Sequence, residues 1–327
     1  MSTPNAGHVP PLTLLSVVAP ARDEQDVLAE FHARLTSVLD SVTANWEIIY
    51  VNDGSTDSTL ALMESLHATD ARVAIVDLSR SFGKEIALSA GLDHARGDAV
   101  IVIDTDLQDP PELIPELIKQ WQSGHDVVYA QRRTRAGESM LRCATAHVFY
   151  RLLQHAGRVQ VPIDTGDFRL LSRRAVDALK QLREQHRYMK GLFAWIGYPQ
   201  IAVPYEREAR FAGQTKWNYR ALVHLAMEGI TSFTTRPLRL ATYLGLISAA
   251  VAFVYGTVMI VKTLIYGNTV PGYPSLMVVV LFLGGVQLVA IGIMGEYLGR
   301  MFDESKQRPL YFVKRYIPAA TAKDAPP

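Results

Sequence analysis

Residues 99–112 read Ala-Val-Ile-Val-Ile-Asp-Thr-Asp-Leu-Gln-Asp-Pro-Pro-Glu. The β-branched apolar run predicts a short buried strand. It ends abruptly in two carboxylates one residue apart, Asp104 and Asp106, with Gln108 and Asp109 close behind. At the carboxyl end of a parallel strand, such a cluster lies where open α/β sheets bind ligands. Hard oxygen donors at this spacing suit a divalent cation held against a diphosphate. An acidic strand-to-helix turn with Asp as a cap fits the same residues, so the rest of the chain has to separate the two readings.

Outward from this stretch, strand and helix patterns alternate. Leu14–Ala19, Trp46–Asn52, Val73–Asp77, Ala99–Asp104 and Asp126–Gln131 are predicted strands, and 25–42, 58–67, 84–95 and 112–123 are predicted helices. This order predicts an α/β fold, a Rossmann-like, mostly parallel sheet covered on both faces. Past residue 136 the pattern changes. Leu141, Ala144, Val148, Leu152 and Leu153 recur at helical spacing beside a basic stripe of His147, Arg151, His155 and Arg158. A helix on the sheet and an amphipathic helix at a lipid surface both fit that pairing. Tyr219, Leu222, Val223, Ala226, Ile230 and Phe233 form a second such stripe.

Composition narrows the class. The 327 residues carry a net charge of +1, which gives no electrostatic basis for nucleic-acid binding. The single cysteine, Cys143, excludes an internal disulfide, and no Cys/His cluster has zinc-site spacing. No basic segment followed by a long apolar run opens the chain, so no signal peptide is expected. Leu240–Val261 and Ser275–Gly295 contain no charged residue, and each has the ~20 residues that a membrane-crossing helix needs. Arg236 and Arg239 precede the first, while Arg300, Lys306, Arg308, Lys314 and Arg315 follow the second. The loop between them, Thr263–Pro274, has no Lys or Arg, though Lys262 adjoins it. The positive-inside rule then predicts a multi-pass protein with the polar domain and both termini cytoplasmic.

Four loops follow predicted strands: Pro20-Ala21-Arg22-Asp23-Glu24, Asn52 to Asp57, Ser79 to Lys84, and the acidic cluster. A parallel sheet gathers all four on one edge. No Walker A or Gly-x-Gly-x-x-Gly spacing is present.

With Asp104-Thr105-Asp106-Leu107-Gln108-Asp109-Pro110-Pro111-Glu112 and the paired C-terminal spans, the chain resembles the family 2 glycosyltransferases of GT-A fold. Within them it is similar to the polyprenyl-phosphate sugar transferases, from about residue 14 to the second span. The resemblance implies an enzyme of the bacterial inner membrane that transfers one sugar from a nucleotide sugar, with UDP the preferred carrier, to undecaprenyl phosphate. It implies that Asp104, Asp106 and Gln108 hold Mg2+ or Mn2+, with Asp109 a base or a positioning group. Pro20, Ala21, Arg22, Glu24, Asp53, Gly83 and Lys84 would hold the nucleotide sugar, and Arg210 and Lys216 would close over its diphosphate. Arg132, Arg133, Arg142, Asp167 and Arg169 fall on the acceptor side, where Asp167 either orients a substrate or only pairs with Arg169. Membrane lipids and a homotetramer are implied partners.

The domains expected are a nucleotide-sugar core (1–136), an acceptor-side part with interfacial helices (137–236), two transmembrane helices (237–299) and a cytoplasmic tail (300–327). A processive polysaccharide synthase would carry Gln-x-x-Arg-Trp and more spans, neither of which is visible. A catalytically inactive membrane scaffold would have lost the acidic cluster, which is intact.

Overall fold

The computed structural model describes residues 11–43, 45–132, 165–206, 236–266 and 272–320. The chain divides into two compact units, residues 1–224 with 309–327, and residues 225–308.

In the first unit, β1 (Leu15–Ala21), β2 (Trp46–Asn52), β3 (Val73–Leu78) and β4 (Ala99–Val102) lie in the order β4-β1-β2-β3, all parallel. Every residue of these strands is buried, which is why they read as near-continuous apolar runs. Helices α1 (Leu28–Val42), α2 (Thr59–Thr69) and α3 (Lys84–His94) connect them, and α4 (Ile114–Gln122) follows β4. Helix α1 buries Leu28, Phe31, Leu35 and Leu39 at helical spacing. Helix α3 lies so close to the sheet that a Cβ on Gly91 would stand 2.3 Å from Val18 Cγ1.

Beyond these elements the sheet is mixed. β6 (Thr165–Ser172) runs antiparallel between β4 and β5 (Val127–Arg132), and β5 pairs in parallel with β7 (Gln200–Tyr205). Because β6 is reversed, its first residues lie at the edge where β4 and β5 end. Helices α5 (Arg173–Gln181) and α6 (Met189–Trp195) separate β6 from β7. The eighth strand, β8 (Val313–Ile317), covers the edge of β3 in antiparallel register. None of β6, β7 and β8 was anticipated. Lys314 and Arg315, counted above as a flank of the second span, belong to β8, where they meet Asp77 and Glu64. The two stripes at 141–158 and 219–233 lie outside the described residues.

The second unit contains α7 (Arg236–Tyr266) and α8 (Tyr273–Ser305). Ala241–Ile265 and Leu276–Ser305 are long and apolar enough to cross a membrane. Their side chains are not packed away as in a soluble core: Phe253 is 76% exposed and Leu264 80%. Continuous apolar surface of this length requires a non-aqueous environment.

Candidate active site

The carboxyl ends of β1 to β4 bring the four loops together as the parallel order requires. Hydrogen bonds tie three of them into one scaffold. Asp23 Oδ1 accepts from Thr56 N (2.8 Å), the N–H of Glu24 donates to Thr59 Oγ1 (2.8 Å), and Arg22 Nη1 donates to Ser81 Oγ (2.9 Å). Asp53 accepts from Phe82 N (2.6 Å), Ser81 Oγ (3.0 Å) and Gly83 N (3.0 Å). The anion at the start of α3 is thus the chain's own Asp53, satisfying backbone donors that the helix leaves unpaired. Gly54 makes this possible: its φ is +63°, and a Cβ there would stand 2.5 Å from Ser81 N. Pro20 and Ala21 are the last residues of β1, paired with Val51 and Asn52.

Along the acidic cluster, burial alternates. Asp104, Asp106 and Gln108 are partly exposed, while Thr105, Leu107 and Asp109 are buried. Asp106 Oδ1 accepts from Gln108 N at 3.1 Å, the bond of an Asx turn. Leu107 has φ +57°, a left-handed conformation rare for a branched residue, and its side chain is packed in the core. Packing therefore holds a strained turn that keeps three oxygen-bearing side chains toward solvent.

The centre of the site is Lys84. Its Nζ lies 2.6 Å from Asp104 Oδ2 and 2.5 Å from Asp167 Oδ2. Asp167 reaches this point because β6 is antiparallel, with Val102 paired to Arg169. Its carboxylate pairs with Lys84 and not with Arg169. The Arg169 fork instead donates to the backbone oxygens of Gly166 (2.8 Å) and Asp167 (3.1 Å), with its Cζ 3.7 Å from the centre of the Phe193 ring. Arg169 is 4% exposed, and it holds the turn that presents Asp167. Burial lowers its pKa to about 10.

Charge at this point is unevenly shared. Burial raises Asp104 above the ordinary carboxylate range, and Asp167 raises it further against the opposing pull of Lys84. Burial also opposes ionisation of Asp167, but Lys84 and Lys190 prevail and hold it well below the usual range. Lys84 is held above its usual range: burial disfavours its charge, and the two carboxylates outweigh that. Glu85, beside it, rises to about 7 through burial and the charge of Asp167, although it accepts from Met189 N at 3.0 Å.

Asp109, 2% exposed, accepts a hydrogen bond from the Tyr205 hydroxyl, and Arg132 Nε donates to the same hydroxyl at 3.4 Å. Tyr205 and Glu85 were not among the expected residues. Glu85 had a signal in its place next to Lys84, whereas Tyr205 lies on a strand that no apolar run announces. Arg133, Arg142, Arg210 and Lys216 lie outside the described residues.

Among the described residues, no group of three or more His, Cys, Asp or Glu converges to hold a metal ion. The donor set that is present, two partly exposed carboxylates and an amide, matches a hard cation that also takes oxygens from a substrate phosphate.

Comparison with known proteins agrees with this layout. Residues 16–180 match the model of glycosyl transferase family 2, and residues 236–301 match that of the GtrB C-terminal hairpin. An uncharacterized glycosyltransferase of Synechocystis sp. is 52% identical over 299 residues, covering 91% of this chain and 94% of that protein. The bactoprenol glucosyl transferase of Shigella phage SfV is 47% identical over 300 residues, covering 92% and 98%. A prophage bactoprenol glucosyl transferase homolog of Escherichia coli (strain K12) is 46% identical over 301 residues, with the same coverage. The mixed, mostly parallel sheet agrees with the GT-A fold, and the apolar hairpin makes the protein membrane-associated. The chain belongs to glycosyl transferase family 2 and is a glycosyltransferase.

Proposed function

We propose that this glycosyltransferase moves a single sugar from a nucleotide sugar, with UDP as the carrier, onto polyprenyl phosphate at the cytoplasmic face of a bacterial inner membrane. One observation carries the reading. The acidic face of Asp104, Asp106 and Gln108 lies at the same sheet edge as Arg132, and Asp109 and Tyr205 connect the two. A diphosphate held by a cation needs the first, and an anionic acceptor needs the second. The bactoprenol glucosyl transferases named above support the choice of acceptor, and the apolar hairpin supports a lipid one.

Asp104, Asp106 and Gln108 would hold Mg2+ or Mn2+, which when bound offsets the charge growing on the departing nucleoside diphosphate. Arg22 and Glu24 border the nucleotide, and Asp53 keeps the loop beneath it in shape. Lys84 brings a fixed positive charge to the diphosphate. On the other side, the Arg132 fork receives the acceptor phosphate, and a planar guanidinium suits that anion. A phosphate monoester has a second pKa near ~6, so the acceptor arrives ionised at neutral pH. Its oxygen bonds to the anomeric carbon as the bond to the diphosphate breaks, and in-line displacement inverts that carbon. No proton has to be removed, and Asp109 acts by position. Arg236, Arg239, Arg300, Lys306 and Arg308 flank the apolar helices, and the 263–274 loop carries no Lys or Arg, which favours both termini in the cytoplasm. Incubation with undecaprenyl phosphate, a divalent cation and a panel of nucleotide sugars, followed by mass spectrometry of the lipid, tests the reading; no lipid-linked sugar with any donor would refute it.

A further inference from the structure

That scheme uses Tyr205 only as a link between its two sides, and no step is assigned to its hydroxyl, which touches both. Strands β5 and β7 are parallel and pair Arg132 with Tyr205, so both residues end their strands at the carboxyl edge of the sheet. The phenol is buried. It donates to Asp109 Oδ1 and accepts from Arg132 Nε. A phenol has one proton, and an ionised carboxylate only accepts, so the direction of the first bond is fixed. With its O–H directed at Asp109, the phenol oxygen turns its lone pairs to the guanidinium. Burial, followed by the charge of Asp109, holds Tyr205 well above the ordinary tyrosine range, so the proton stays on the phenol. Opposite, a Cβ on Gly166 would stand 3.6 Å from both Arg132 Nη2 and Asp109 Oδ2. The guanidinium and the carboxylate therefore face one small space, which a side chain at residue 166 would fill.

We propose that Tyr205 is a positioning residue for the acceptor, its hydroxyl bridging Asp109 and Arg132 so that the guanidinium plane is set before a phosphate monoester arrives. The proposal rests on the assignment of Arg132 to the acceptor phosphate. It also gives Asp109 a task other than proton removal, because one of its oxygens already accepts the hydrogen bond of the tyrosine hydroxyl. Side-chain entropy that Arg132 would lose on binding is lost beforehand, which strengthens acceptor binding without touching the donor.

The test uses the full chain in detergent with UDP-glucose as donor and undecaprenyl phosphate as acceptor. Tyr205→Phe is expected to raise KM for undecaprenyl phosphate about tenfold, the worth of one hydrogen bond to a charged group, and to leave KM for UDP-glucose unchanged. Arg132→Lys is expected to do the same, and the double variant to be no worse than Arg132→Lys alone, since residues acting through one contact are not additive. If Tyr205→Phe does not fold, Tyr205→His, which keeps a ring donor, is expected to show a smaller rise in acceptor KM than Arg132→Lys. A rise in acceptor KM for Arg132→Lys with none for Tyr205→Phe overturns the positioning role alone. An unchanged acceptor KM for Arg132→Lys overturns the acceptor assignment and the proposal with it. Equal rises in both KM values for Tyr205→Phe mean a structural role and also overturn it.

Discussion

The ammonium of Lys84 lies 2.6 Å from Asp104 Oδ2, so the carboxylate that opens the Asp-x-Asp run is met by the chain's own cation. The same ammonium holds Asp167, and one positive charge thereby serves two carboxylates. A cation held by Asp104, as proposed above, would have to compete with this ammonium.

Replacing Lys84 by Met removes that competition. Binding of Mn2+ in the absence of nucleotide, followed by electron paramagnetic resonance, is expected to tighten several-fold, while turnover falls because the diphosphate loses a cation. The Lys84 side chain is 46% exposed, so the stability loss is expected to stay within about 1–2 kcal/mol. Weaker Mn2+ binding in Lys84→Met would contradict the account.

Asp104→Asn and Asp109→Asn should separate by mechanism. The first removes a proposed cation ligand, and turnover should fall by at least about 10²–10³-fold at every pH. The second leaves the reaction without need of a base, so its smaller loss should be independent of pH. A loss of several orders of magnitude for Asp109→Asn that recovers as pH rises would make Asp109 a base.

Glu85 predicts a pH dependence of stability. Its pKa rises from an ordinary 4.5 to about 7 on folding. Between those values the unfolded chain releases a proton that the folded chain keeps, so the contribution of Glu85 to stability is fully present below pH ~4.5 and declines as pH approaches 7. Glu85→Gln removes the decline. Its melting temperature relative to the parent should therefore climb from pH 5 to pH 7.5, by an amount of order 1 kcal/mol in stability. A constant difference across that range would show that Glu85 does not titrate there.

Gly54→Ala tests the scaffold beneath the nucleotide. The substitution combines a left-handed backbone with a Cβ placed 2.5 Å from Ser81 N, so the loop held by Asp53 must move. A loss of about 1–3 kcal/mol in stability is expected, with a raised KM for the nucleotide sugar and an unchanged KM for the acceptor. An unaltered melting curve would mean that the two loops approach less closely than described.

How far these features could be read from the residues depended on how locally they are encoded. Strands β1 to β4 were legible because both of their faces are covered and each is an apolar run. Strand β6 was not, because it opens with Thr165-Gly166-Asp167, which is no apolar run. Strand β8 was read as a basic flank near lipid, since Val-Lys-Arg-Tyr-Ile on a sheet edge stays largely exposed. The meeting of Lys84, Asp104 and Asp167 depends on an antiparallel strand inserted from far along the chain, and no local pattern marks it. Asp104, Asp106 and Gln108, by contrast, lie within five residues at a strand end, where local turn chemistry sets their shared partly exposed face.

The reaction product tests single-sugar transfer most directly. Purified full-length protein with undecaprenyl phosphate, Mn2+ and UDP-linked sugars should give undecaprenyl phosphate heavier by one sugar residue in mass spectrometry, and Asp104→Asn should not. A ladder of several sugars on the lipid, or free sugar and UDP with unmodified lipid for every donor, would contradict transfer of a single sugar to a lipid phosphate.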